Sequence, residues 1–87
     1  MKIDIHYCTQ WNYEPRARSL RDELQNHYEG TFDVLEINLV ESSGGAFEVF
    51  VNDNLKVFSK LNVGRFPNST FEVTKTIDDS IHEGRLR

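Results

Sequence analysis

The residue in this chain best suited to covalent chemistry is Cys8, its only cysteine, in Tyr7-Cys8-Thr9-Gln10-Trp11-Asn12. It follows a strand-like run and precedes a helix-like one. A thiol at a strand-to-helix junction lies near backbone N–H groups that favour the thiolate over the thiol. Thiolates attack disulfides, so thiol–disulfide exchange is the chemistry such a sulfur would perform. An internal dithiol cycle needs a second cysteine, commonly three positions on. That position is Trp11, whose ring cannot attack a mixed disulfide. An intramolecular cycle is therefore excluded. A monothiol cycle, in which an outside thiol supplies the second sulfur, is not.

Each residue around this thiol has two readings. Cys8 is an attacking, at least partly exposed thiolate of depressed pKa, or a small buried hydrophobe, as free cysteines often are. Trp11 is an exposed aromatic that anchors a partner, or a ring folded over the sheet end to cover core. Ser43, Gly44 and Gly45 form a turn beside Cys8. Its glycines either let a bound backbone approach closely or simply supply positive φ. Arg65 on a later loop can bind a carboxylate, although a solvated side chain is the commoner outcome. Phe66 beside it packs under the loop before the last helix. His6, His27 and His82 are scattered, and a His6–Cys8 pair has too few ligands for structural zinc, so no metal site is expected. No nucleotide-binding glycine fingerprint, phosphate loop or catalytic serine motif is present.

The elements that must position these residues follow from periodicity. Lys2 to Tyr7 alternates, with Ile3, Ile5 and Tyr7 on one face, and reads as a strand covered on one side. Asn12 is placed to cap a helix with Pro15 in its first turn. Ala17, Leu20, Leu24 and Tyr28 form its apolar stripe, and Gly30 ends it. A second strand is expected over Phe32 to Leu39, then a turn at 42–45. Ala46 to Val51 and Leu55 to Lys60 form a hairpin about Asn52-Asp53-Asn54, residues that tolerate left-handed conformations. Asn62, Gly64 and Pro67 mark a loop. Ser69 and Glu72 make a capping-box pattern for a last helix with a Val73, Ile77, Ile81 stripe, stopped at Gly84. The order is β-α-β-β-β-α. A helix between the first two strands implies a parallel pair with a right-handed crossover. The fold class is α/β: a two-layer sandwich of a four-stranded mixed sheet with both helices on one face.

Eighty-seven residues are read as one domain, 1–87, with the tail from about residue 84 loose. The net charge of −4 is interspersed, so no basic stripe offers itself to nucleic acid. The apolar runs are far short of a membrane span. Met1-Lys2-Ile3-Asp4 leads into a charged strand rather than a secretory signal. One cysteine cannot form an internal disulfide, so a cytoplasmic location is expected.

Three blocks in order resemble the bacterial selenoprotein W-like proteins of the selenoprotein T/W/H group, in the thioredoxin-like superfamily. They are Tyr7-Cys8-Thr9-Gln10 with Asn12, Ser43-Gly44-Gly45-Ala46-Phe47-Glu48-Val49, and Gly64-Arg65-Phe66-Pro67. The resemblance implies a thioredoxin-like fold with redox activity, Cys8 as the catalytic residue, no bound cofactor, and glutathione as co-substrate. It also makes Thr9, Gln10, Trp11, Ser43, Gly44, Gly45, Arg65 and Phe66 motif or partner-binding residues. The family pattern carries a second cysteine or selenocysteine where this chain has Trp11. Two functions follow. One is a monothiol redox protein acting on a disulfide-bearing or glutathionylated protein. The alternative is a non-catalytic interaction module that binds a protein partner at the Cys8/Trp11 end.

Overall fold

In a computed structural model, residues 1–84 are described. Strand β1 (Lys2–Cys8) is followed by helix α1 (Glu14–Tyr28), strands β2 (Glu36–Ser42), β3 (Phe47–Val51) and β4 (Leu55–Ser59), a one-turn helix α2 (Lys60–Val63) and helix α3 (Thr70–His82). The sheet order is β2-β1-β3-β4. β1 runs parallel to β2 and antiparallel to β3, and β3 pairs antiparallel with β4. The mixed sheet thus has the expected connectivity.

Alternation in β1 sends Ile3, Ile5 and Tyr7 to the helix side, where Phe47, Val49 and Val51 join them from β3. The α1 stripe of Ala17, Leu20, Leu24 and Tyr28 and the α3 residues Val73 and Ile77 complete one continuous apolar core. Both helices therefore lie on one face of the sheet. Tyr28 ties them together: its hydroxyl donates to Asp78 Oδ1 at 2.7 Å. The opposite face is polar, with Asn38 donating to Asp4 at 2.9 Å and Ser59 to Glu48 at 2.7 Å.

Several local expectations are corrected. β2 begins at Glu36, not Phe32, because Phe32 packs on the Tyr28 ring, 5.5 Å between centroids, and Glu36 N–H first reaches Met1 O at 2.9 Å. The strand then runs through Ser42, which pairs with Cys8 rather than opening the turn. β4 ends at Ser59, because the Ser59 side chain accepts from Asn62 N–H and starts α2 where a plain loop was expected. Its register jumps from Val49↔Phe58 to Phe50↔Lys56, which makes Val57 the extra residue of a bulge. Asn12 does not cap α1; it has φ +58, and Tyr13 occupies the cap position without a side-chain bond. Ser69 is the cap residue of α3 but makes no side-chain cap bond, as Glu72 N–H donates to Ser69 O at 3.2 Å and the Glu72 carboxylate turns to Arg65. The hairpin turn is as expected, with Asn52 and Asp53 at φ +51 and +71. Asn52 Oδ1 also accepts from Lys2 N–H at 2.9 Å, which fastens that turn to the start of β1. Gly84 has φ +77 just after α3. The rest of the expected loose tail, 85–87, lies outside the described residues. No helix among the described residues is long and apolar enough to cross a membrane.

Candidate functional site around Cys8

Cys8 is the last residue of β1, and Cys8 N–H donates to Ala46 O at 2.8 Å. That bond, with the Cys8↔Ser42 pairing, wraps the 43–46 turn around the strand end. Gly44 and Gly45 both have positive φ, +68 and +76. Two successive left-handed residues bend the chain sharply enough to bring the Gly45 amide to the sulfur.

The thiol is held below its ordinary pKa. The backbone N–H of Gln10 near the sulfur is the main cause; those of Gly45 and Trp11 add to it, while burial opposes them. The origin differs from the expected one. α1 starts only at Glu14, so the stabilising amides belong to the 9–12 turn and to the glycine turn, not to the helix terminus.

Exposure also differs. Cys8 was expected to be at least partly exposed, yet it has 0% relative accessibility. It ranks among the fully buried side chains. The Trp11 ring lies on Gly45, so close that a Cβ there would stand 2.8 Å from the ring. Trp11 itself stays 61% exposed and meets Tyr13 edge-on. The indole therefore fills the approach over Gly45, while the space over Gly44 is open.

Phe66 is half-buried, as expected. Its ring meets Tyr13 at 4.7 Å and Phe47 at 5.1 Å, with the Arg16 guanidinium 4.3 Å above it. Arg65 is not simply solvated: it donates to Glu72 Oε1 at 2.7 Å and to the Phe66 carbonyl at 3.0 Å. That pair raises the Arg65 pKa and lowers that of Glu72. The structure thus brings together Cys8, Thr9, Gln10, Trp11 and the Ser43–Gly45 turn. Phe66 lies in an aromatic group with Tyr13, and Arg65 is engaged with α3. Tyr13 and Arg16 were missed in the sequence reading. The available signal was an aromatic and a cation flanking Pro15 at the start of a helix.

His6 shares the Cys8 face of β1 by alternation, but its ring packs on Phe50 at 4.8 Å. Among the described residues no group of three or more His, Cys, Asp or Glu is placed to hold a metal ion.

A β2-β1-β3-β4 sheet with helices on one face, and a thiol ending β1 among loop amides, define a thioredoxin-like domain of redox-related type. The chain belongs to the Rdx family, of selenoprotein W/T/H-like proteins, whose model matches residues 2–79. The fold is similar to that of a selenoprotein W-related protein from Vibrio cholerae, with a TM-score of 0.81 and 28% identity over 92% of this chain and 95% of that one. A Bordetella parapertussis protein is similar too, with a TM-score of 0.79 and 27% identity over 90% of this chain and 94% of its own. No curated protein sequence matches the chain.

Proposed function

We propose that this protein is a monothiol thiol–disulfide redox protein that works with glutathione. The observation that carries the reading is the set of backbone amides from Gln10, Gly45 and Trp11 that stabilises the Cys8 thiolate. Main-chain donors at a strand end are suited to a charged sulfur, and a merely structural cysteine does not need them. In the first step the Cys8 thiolate attacks the glutathione sulfur of a glutathionylated protein. A Cys8–glutathione disulfide forms, and the protein's thiolate leaves. In the second step a glutathione thiolate attacks the glutathione sulfur of that adduct. Oxidised glutathione forms and the Cys8 thiolate is restored. Across the two steps the substrate protein's sulfur is reduced and the sulfur of the glutathione from solution is oxidised, while the substrate's glutathione sulfur stays at the disulfide level, so no second cysteine in the chain is needed.

One observation favours the interaction-module reading: Cys8 is closed to solvent, while the Trp11 ring is largely exposed. The two readings separate in one assay. A glutathionylated peptide is mixed with the protein and glutathione, and release of the peptide thiol is followed. The redox reading expects turnover by the wild type, none by Cys8→Ser, and a glutathione adduct on Cys8 by mass spectrometry. Equal rates for wild type and Cys8→Ser would leave the module as the better account.

A further inference from the structure

We propose that Arg16 and Lys60 form a carboxylate subsite at the Cys8 end of the sheet, which takes the carboxylates of a glutathionyl group and gives the thiol a preference for anionic disulfides. The inference rests on the redox reading and names the residues that select its substrate. Its basis is the pairing of charges. Among the described residues, Lys2, Arg18, Arg21, Lys56, Arg65 and Lys75 each have a carboxylate partner. Arg16 and Lys60 have none, and both lie over the same ring, that of Phe66. The Arg16 guanidinium is 4.3 Å from its centroid and the Lys60 ammonium 5.3 Å. The same ammonium is 5.5 Å from the Tyr13 centroid. Acidic residues outnumber lysines and arginines, 14 to 10, so these two cations are not left over from a surplus of positive charge. A ring face attracts a cation through its quadrupole but does not neutralise it. Phe66 therefore holds two positive charges in place and leaves both able to meet an anion.

The fold sets these charges at the end of the sheet that carries the thiol. β1 and β4 both run antiparallel to β3, so Cys8 and Ser59 end their strands on the same side. Lys60 directly follows Ser59, and Arg16 stands in the first turn of α1, just after the 9–12 turn. Phe66 meets Phe47 at 5.1 Å, and Ala46 beside Phe47 accepts from Cys8 N–H at 2.8 Å. The carboxylates nearby are engaged with other groups: Glu14 with Arg18, Glu48 with Lys56, Glu72 with Arg65, and Glu23 with the Thr70 hydroxyl. Glu41 lies on β2, across β1 from Phe47. Arg16 is exposed and opens onto a groove of about 610 Å3 that Ser19, Leu20 and Phe47 also line, so a carboxylate has room to reach it. Glutathione carries one carboxylate on each side of its cysteine. Two cations fixed by one ring suit such a ligand, because a charge-assisted hydrogen bond to each adds to the reaction at the sulfur.

The test compares an anionic disulfide with a neutral one. Reduced protein is mixed with oxidised glutathione or with hydroxyethyl disulfide. In each case the Cys8 thiolate attacks one sulfur, a mixed disulfide forms on Cys8, and the other sulfur leaves as a thiolate. The ratio of the two rates cancels any change in the Cys8 thiolate itself. The subsite predicts that this ratio falls about tenfold from wild type to the double variant Arg16→Gln/Lys60→Gln, and that Arg16→Lys keeps most of it. An equal ratio in wild type and a folded double variant would overturn the subsite and leave the redox reading standing. A second measurement uses the unaltered protein and stands even if the double variant does not fold. Added salt should lower the wild-type ratio by screening the two cations. The net charge of −4 would by itself give the opposite trend, so a ratio that rises or holds with salt would overturn the subsite. Should neither disulfide react with the wild type, the redox reading fails, and S-methylglutathione, which cannot exchange, decides the subsite alone. Saturable shifts of the Phe66 ring signals in its magnetic resonance titration, lost in the double variant, would keep the subsite. No saturable shift in wild type would remove it as well.

Discussion

At the residue scale, the charge on one sulfur is governed by main-chain geometry. Gln10, Trp11 and Gly45 act on Cys8 through backbone N–H groups, so the Gln10 and Trp11 side chains bear on the thiolate only by way of the loop shape. This explains why Thr9 and Gln10 can be exposed at the site and still belong to it. Arg65 teaches the opposite lesson. Its guanidinium is the kind of group that would bind a carboxylate, and it does bind one, but that carboxylate is Glu72 of its own chain. The pair joins the loop after α2 to the first turn of α3. A charge that stabilises a loop in this way is only partly available to a ligand. As an exposed pair, its contribution to stability is small.

At the scale of elements, the site is the meeting of the β1 end, the 9–12 turn and the 43–45 turn. The turn geometry can be tested by restoring the missing thiol. The Trp11 N–H lies near the Cys8 sulfur, so in Trp11→Cys the two Cα atoms should lie within the ~4.4–6.8 Å range that disulfides accept. The variant is expected to close an internal disulfide under mild oxidation and to gain dithiol reductase activity on insulin. Wild type should form only mixed disulfides or intermolecular dimers. A folded Trp11→Cys protein that stays reduced would show that the turn does not hold dithiol geometry. Much of this arrangement was legible in the sequence. The alternation of Ile3, Ile5 and Tyr7, the α1 stripe and the paired glycines are enough to place Cys8 beside the Ser43–Gly45 turn. What was not legible depended on tertiary contacts. Asn12 reads as a helix cap by residue type, but packing of Tyr13 on Phe66 sets where α1 begins. Glu72 reads as half of a capping box, but Arg65 offers its carboxylate a charged partner. The start of β2 is delayed by the Phe32–Tyr28 contact, which joins a loop to a helix and leaves no periodic trace. The residue order also left open whether the Trp11 ring stands exposed or folds over the sheet end; it does turn onto Gly45 while staying largely exposed.

At the scale of the whole molecule, one core supports both turns. Ile3, Ile5 and Tyr7 of β1 pack in the same cluster as Leu24 and Ile77, so the strand that presents Cys8 is held by both helices. The opposite sheet face depends on polar pairs instead. Glu48 is held below its ordinary pKa, first by the Ser59 hydroxyl and then by Lys56. Leu24 is fully buried, and Leu24→Ala is expected to cost about 2–5 kcal/mol by leaving a cavity. The denaturation midpoint would show it. Because the core lies behind β1 rather than around the sulfur, the folded variant should keep a Cys8 thiolate midpoint close to that of wild type. A large shift would mean that the core, not the loop amides, sets the state of the thiol.

The central claim is that loop amides keep Cys8 ionised for exchange, and the rate of its alkylation against pH tests this most directly. A depressed pKa leaves the thiolate present down to lower pH, so the rate should hold as pH falls and drop only below the folded midpoint. The account predicts a midpoint clearly under the free-cysteine value of about 8.5, with Cys8→Ser unreactive. A midpoint at or above that value in the folded protein would contradict it.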